Sequence, residues 1–158
     1  MRPDEIPDYL RSMYSEMKSY KNIHFDSYEK MKKDGDSERI PADDIYSDAQ
    51  VVSSEITNDI FMDGNSHYIA LDIDMPVIAI PSTNRHHTHL YIPRAVPWEK
   101  YEKFIEACVE IGIVERGYLE ASKKRKATFL RLPWIKKGME NLHSIDKIEE
   151  FLADDEAS

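Results

Sequence analysis

Cysteine is nearly absent from this 158-residue sequence, which contains one such residue, Cys108. One cysteine cannot form an intramolecular disulfide, and this excludes the cross-linked frameworks that stabilise small secreted domains. Cys108 lies within an apolar periodic stretch, so we expect it to be a small buried core residue. This cysteine usage fits a reducing compartment, and we expect the protein to be cytoplasmic.

Long apolar runs and familiar nucleotide-binding motifs are also lacking. No run approaches the roughly 18 apolar residues of a membrane span. The first residues, Met-Arg-Pro-Asp-Glu, have no apolar segment like that of a signal peptide. There is no Walker loop, no Gly-x-Gly-x-x-Gly and no Cys-x-x-Cys, which argues against P-loop, dinucleotide-binding and zinc-ribbon proteins. We expect no membrane partner.

Charge is unevenly distributed along the chain. The formal net charge is −9, which argues against a general nucleic-acid coat protein. Residues 115–137 nevertheless carry eight Lys or Arg residues against two acids, and Lys124, Arg125, Arg131 and Lys136 are among the eight. A segment this basic in an acidic chain is where a phosphate-bearing ligand is drawn, although a solvated helix face is the alternative.

The N-terminal third is predicted to be helical. Apolar residues recur at three- and four-residue steps over 4–20, which predicts an amphipathic helix, and a second short helix is predicted over 26–35. Residues 34–48 are rich in acids and predict a solvated loop. We therefore expect an N-terminal helical arm with its acidic loop over 1–48 and an α+β core over 49–158, together forming one compact unit.

The core is predicted to contain an antiparallel sheet of four to five strands packed against helices. Short connections between successive strands favour antiparallel pairing. The four clearest strands, from their period-two alternation, are Val51–Ile56, His67–Asp74, Val77–Ile80 and His87–Ile92.

The rest of the core is predicted to be mainly helical. Pro97 is well placed in the first turn of a helix that ends before Gly112. A helix over Tyr118–Lys126, a fifth strand over Ala127–Leu132 and a last helix that begins at Ser144 complete the prediction.

Two neighbouring predicted strands carry carboxylates and imidazoles. Strand alternation places Asp72 and Asp74 on one face, about 7 Å apart, and two carboxylates at that spacing can bridge a hard divalent cation. The same alternation places His87 and His89 together on the next strand. If the strands are neighbours, these side chains form a metal or phosphate site. A solvent-facing strand end and structurally satisfied histidines are the alternatives.

Several of these segments resemble motifs of a known family. The segment 70–74, followed by Pro81-Ser82-Thr83 and 89–92, resembles the first two motifs of the archaeo-eukaryotic primase superfamily, which includes primase-polymerases and the polymerase domains of bacterial repair ligases. Residues 128–133 with Lys136 resemble an Arg-Leu-Pro … Lys stretch of some members. The whole chain is, more loosely, similar to small proteins encoded by tailed phages of actinobacteria.

The resemblance implies a metal-dependent nucleotidyltransferase-like domain. By its motifs, Asp72 and Asp74 are expected to hold Mg²⁺ or Mn²⁺, with His89 contacting the phosphates of an incoming nucleotide. The expected phosphate or nucleic-acid contacts are Ser82, Thr83, His87, Lys124, Arg125, Arg131 and Lys136. Positioning and cationic stabilisation are what phosphoryl transfer requires of a protein.

Other functions remain open at this point. No clear third acidic motif is present, so a reduced or inactive derivative that binds nucleotides or nucleic acid is one alternative. A non-catalytic phage protein that binds a host protein or nucleic acid is another. The third is a small metal-dependent phosphodiesterase or nuclease that uses Asp72, Asp74, His87 and His89.

Overall fold

The fold of the chain is α+β, as predicted, with small antiparallel sheets and an N-terminal helix. The structure, a computed structural model, describes residues 1–21, 40–57 and 65–136. The chain divides into two compact units, Met1–Asp72 and Ile73–Ser158.

The first unit combines one helix with a three-stranded sheet. A short 3₁₀ turn, Pro3–Glu5, precedes α1 (Asp8–Glu16). The strands are β1 (Met17–Lys21), β2 (Ile40–Pro41) and β3 (Val51–Ile56), in the order β2-β1-β3, and both pairings are antiparallel. β3 has the bounds predicted from its alternation. It pairs with β1, so this sheet contains strands from both sides of the boundary predicted at residue 48.

The predicted helix over 4–20 is wrong over its last four residues, because α1 ends at Glu16. Met17 adopts extended dihedrals (φ −91°, ψ 145°) and begins β1, where it is paired with Ile56 and only 6% exposed. The carbonyl of Glu16 accepts the Thr57 N–H at 2.7 Å. Hydrogen bonds from a strand distant in sequence therefore outweigh the local helical periodicity.

The predicted strand over His67–Asp74 is also wrong. His67 forms an isolated bridge with Glu55, and Tyr68 donates its N–H to the Ser54 carbonyl at 2.9 Å. After Tyr68 this segment is in no strand as far as Val77. Alternation produces a strand only where a neighbouring edge supplies hydrogen bonds. Without that connection, the five described strands lie in two sheets rather than one.

The second unit begins with a two-stranded antiparallel hairpin. β4 (Ile78–Pro81) pairs with β5 (Thr88–Tyr91) in a register that places Ile80 opposite His89 and Ile78 opposite Tyr91. Directly opposed residues share a face, so these four side chains project from one side of the hairpin. The prediction that two strands lie here is confirmed, with bounds shifted by one residue at several ends.

Two helices follow the hairpin, as predicted. The first, α2 (Trp98–Glu110), has Pro97 at its N-cap position and ends in a Schellman motif, in which Gly112 takes a φ of +87° and the Ile113 N–H bonds the Cys108 carbonyl at 3.0 Å. The second, α3 (Arg116–Arg125), packs against α2. The buried apolar residues of this unit, among those described, are Ile105, Cys108 and Leu119.

The predicted fifth strand over Ala127–Leu132 is not formed. This segment runs outside any strand, because none of the described strands pairs with it. The predicted helices over 26–35 and from Ser144 lie outside the described residues. Within the described part of the chain, no helix is both long and apolar enough to cross a membrane.

Candidate functional site

The loop between β4 and β5 is held by its own hydrogen bonds. Ser82 donates its N–H to the His87 carbonyl at 2.9 Å, and His87 donates its N–H to the Asn84 carbonyl at 3.2 Å. The Ser82 hydroxyl also accepts the Asn84 N–H at 3.1 Å, a local turn that serine favours. These bonds close the loop from 82 to 87, and Thr83 lies exposed within it.

Arg131 reaches this loop from the segment that follows α3. Its Nη1 donates a hydrogen bond to the Thr83 hydroxyl at 3.2 Å, between residues 48 apart in sequence. Arg131 is half-buried and Thr83 is exposed. The structure therefore brings together two of the residues expected to contact phosphate, one from the primase-like loop motif and one from the Arg-Leu-Pro motif.

His89 lies in β5 on the face that carries Ile80 and Tyr91. Its Nδ1 is buried and has no hydrogen-bond partner among the described residues. A histidine with a structural role normally has its buried ring nitrogens hydrogen-bonded, and leaving one unpaired costs about 1–3 kcal/mol. The Nδ1 of His89 therefore lacks the hydrogen bond that a structural histidine normally makes.

His87 lies just before the strand that carries His89. β5 begins at Thr88, and the backbone of His87 is used to close the loop that precedes it. The preceding residue, His86, has a positive φ of 68°, so the alternation is already broken before the strand begins. His87 is an exposed loop residue.

Asp72 and Asp74 lie in the irregular segment before β4. Both are exposed, Asp72 as the last residue of the first unit and Asp74 as the second residue of the second unit. The apolar face predicted opposite them is also exposed, with Leu71 at 73%. The strand geometry from which their shared face was predicted is therefore absent.

The donor set around these carboxylates does not make a resident metal centre. Across 1–21, 40–57 and 65–136, no three His, Cys, Asp or Glu side chains converge in a way that could hold a metal ion. Mg²⁺ differs from zinc in this respect, because it is commonly held by one or two carboxylates together with substrate phosphates. Asp72 and Asp74 fit an ion of that kind only if a nucleotide brings the remaining ligands.

The C-terminal turn of α3 carries the predicted basic cluster. Lys123 is paired with Glu106 of α2 at 2.8 Å, and this hydrogen bond raises the pKa of Lys123. Lys124 and Arg125 are exposed, and the Arg125 guanidinium lies over the Phe129 ring, 4.1 Å from its centroid. Lys136, at the end of the described range, is half-buried.

Sequence reasoning overlooked the aromatic residues of this region. Phe129 and Trp134 are 65% and 70% exposed, whereas aromatic side chains usually bury most of their area. They alternate with Arg125, Arg131 and Lys136 along the chain. Interleaved basic and aromatic residues are typical of surfaces that bind single-stranded nucleic acid, and this signal was present in the sequence.

The chain matches no protein-family model, no curated protein and no solved structure.

Proposed function

We propose that the second unit binds the phosphate groups of nucleotides or nucleic acid through Thr83, Arg131 and the basic end of α3. The hydrogen bond between Arg131 and Thr83 carries this proposal. It supports a site in which the Arg131 guanidinium is held beside the Thr83 hydroxyl of the closed loop, and both groups are good phosphate ligands.

The chemistry of the two side chains suits this role. A guanidinium has five N–H donors in a planar fork that matches the oxygens of a phosphate, and the bond to Thr83 helps to orient this fork. Lys124 and Arg125 precede Arg131 by seven and six residues, and connections of this length span at most about 25 Å. Cations spaced along such a path suit successive phosphates of one strand.

Charge separation explains how an acidic protein could bind a polyanion. The net charge of −9 opposes non-specific association, while the local field of the basic end of α3 attracts phosphate at short range. Screening limits the effect of distant acids to about 8–10 Å at physiological ionic strength. We therefore expect nucleic acid to bind near the basic end of α3 and only weakly elsewhere on the protein. We also expect this binding to weaken as the salt concentration rises. The proposal assigns the protein to the cytoplasm, where nucleic acid is present and the unpaired Cys108 stays reduced.

Fluorescence anisotropy with a dye-labelled oligonucleotide tests the proposal. Arg131→Gln removes a charge-assisted contact and is expected to weaken binding roughly 10- to 100-fold. Arg116→Gln is the matched control, because Arg116 lies in the first turn of α3, at the end opposite the basic cluster, and its loss changes the net charge equally. Equal weakening by both variants, or no binding by the native protein at low salt, contradicts the proposal.

Metal-dependent nucleotidyl transfer is a second candidate, and the position of His89 in the strand that follows the Thr83 loop favours it. In this candidate Asp74 would hold Mg²⁺ or Mn²⁺ that arrives with a nucleoside triphosphate, while His89 of the same unit would contact the phosphates. The metal would supply charge neutralisation, and the protein would orient the nucleotide. As a proposal it extends phosphate binding and needs its own test.

Thermal denaturation separates this candidate from simple phosphate binding. Mg²⁺ or Mn²⁺ with a nucleoside triphosphate is expected to raise the Tm more than either component alone, because only the pair completes the site. Asp74→Asn should remove the extra shift, while Asp8→Asn in α1 should keep it. Absence of any extra shift for the native protein at millimolar ligand rules the candidate out.

A further inference from the structure

Phe129 presents an aromatic ring to solvent beside a guanidinium. The Arg125 guanidinium covers one face of the ring at 4.1 Å from the centroid, yet the residue remains 65% exposed. The exposed area therefore lies on the other face and the ring edges. A planar ring with one face stacked on a cation and the other open is suited to a second planar partner.

The segment that carries Phe129 is anchored on both sides. The Thr128 hydroxyl is hydrogen-bonded to the Tyr101 hydroxyl of α2 at 2.9 Å, and Arg131 is bonded to Thr83 at 3.2 Å. These contacts hold the irregular segment against a helix and a hairpin loop of the same unit. The exposure of Phe129 is thus a feature of an anchored backbone, and pre-organised side chains lose less entropy on binding.

The basic residues alone do not explain this arrangement. Lys123, Lys124 and Arg125 occupy the last turn of α3, where cations stabilise the helix dipole without any ligand. The helix dipole stabilises cations and does not stabilise an exposed phenylalanine side chain. The position of Phe129 next to those cations, and within two residues of Arg131, indicates a ligand that combines phosphate with an apolar planar surface.

We infer that Phe129 is a stacking platform for an unpaired base, so that the ligand of this surface is single-stranded nucleic acid. The inference rests on the proposed phosphate binding and adds the class of strand. A base in a duplex has both faces covered by its neighbours and cannot stack on Phe129. Trp134, 70% exposed and followed closely by Lys136, is assigned as a second platform on the same strand.

Three oligonucleotides of one length, added to the full-length protein, test the inference. They are a single strand, the duplex of the same sequence and a single strand with abasic sites, which keeps the phosphates and removes the bases. The native protein is expected to bind the single strand most tightly. Each stacked base raises the affinity about 5- to 150-fold. The abasic strand should therefore bind at least about 5-fold more weakly than the intact single strand.

Two substitutions at one position separate stacking from apolar contact. Phe129→Leu keeps an apolar side chain but removes the ring, and is expected to weaken the single strand about 5- to 150-fold while binding the abasic strand as before. Phe129→Tyr keeps the ring and should bind like the native protein. Unlabelled single strand should quench the fluorescence of the two tryptophans, Trp98 and Trp134. In the Trp134→Leu variant, only the quenching of Trp98 should be left.

The outcomes distinguish the two proposals. If the native protein binds duplex or abasic strand as tightly as single strand, or if Phe129→Leu binds single strand normally, stacking is overturned and phosphate binding stands. If no strand binds, or if Arg131→Gln leaves binding of the abasic strand unchanged, phosphate binding fails and the stacking proposal fails with it.

Discussion

Arg131 and Thr83, 48 residues apart in sequence, are joined by a hydrogen bond from the guanidinium Nη1 to the threonine hydroxyl at 3.2 Å. The contact links the segment after α3 to the loop between β4 and β5. It brings two predicted phosphate ligands together, although the strand predicted to present the two aspartates is not formed.

Removing either side of this pair should have different effects on salt dependence. Arg131→Gln removes a cation, so the slope of log affinity against log salt for a single strand should fall by about 0.7. Thr83→Val removes the hydroxyl that orients the guanidinium, so affinity should fall while the slope is kept. Anisotropy titrations over a series of salt concentrations measure both quantities. Identical slopes for the two variants would contradict a direct phosphate contact by Arg131.

Asp48 should contribute stability that is lost in acid. Its carboxylate accepts the backbone N–H groups of Asp44 and Asp43 and pairs with Lys21 at 3.1 Å, and these contacts lower its pKa to about 2. Because the folded pKa lies below the unfolded value, the stabilisation is complete above about pH 4–5 and disappears as the pH falls toward 2.

Asp48→Asn tests this linkage. The variant should have a lower Tm than the native protein at pH 7, and the difference should shrink as the pH is lowered through that window. Asp43→Asn, at a carboxylate that is 92% exposed, is the comparison and should change the Tm less. A Tm difference that stays constant between pH 7 and pH 2 would show that the Asp48 charge is not involved.

Two glycines of the second unit should respond to alanine in opposite directions. Gly112 has a φ of +87°, and although a Cβ there would meet no atom within 4 Å, Gly112→Ala should cost about 1–2 kcal/mol of unfolding free energy. Gly117 lies in the first turns of α3 with the same open space, so Gly117→Ala should stabilise by roughly 0.4–1 kcal/mol. Urea denaturation measures both, and a destabilising Gly117→Ala would place α3 in doubt.

The contact between α2 and α3 should depend on Leu119. This side chain is 4% exposed, so Leu119→Ala should lower the unfolding free energy by about 2–5 kcal/mol through lost burial and a cavity. Leu132 is 50% exposed, and Leu132→Ala should change it by at most about 0.5 kcal/mol. Guanidinium denaturation of the two variants is the measurement. Similar losses at both positions would contradict the assigned core.

Local signals account for the parts of the fold that the sequence predicted well. Pro97 and Gly112 bound α2 because one residue has a fixed φ and the other tolerates a positive φ. The alternation of Val51–Ile56 also identified β3 correctly. By contrast, the apolar spacing over 4–20 suited a helix beyond Glu16, yet β3 supplied pairing that turned Met17–Lys21 into a strand.

The candidate site likewise combines features that the sequence predicted with features that only the tertiary structure decided. The resemblance to primase motifs suggested Arg131, Thr83 and His89 as candidates, and the charge distribution indicated the basic end of α3, since cations and hydroxyls are groups that bind phosphate. Whether Asp72 and Asp74 share a strand face depended on an available neighbouring edge, which alternation cannot reveal. The meeting of Arg131 with Thr83 and the exposure of Phe129 beside Arg125 were decided only by tertiary structure, because long-range contacts and burial are properties of the packed chain.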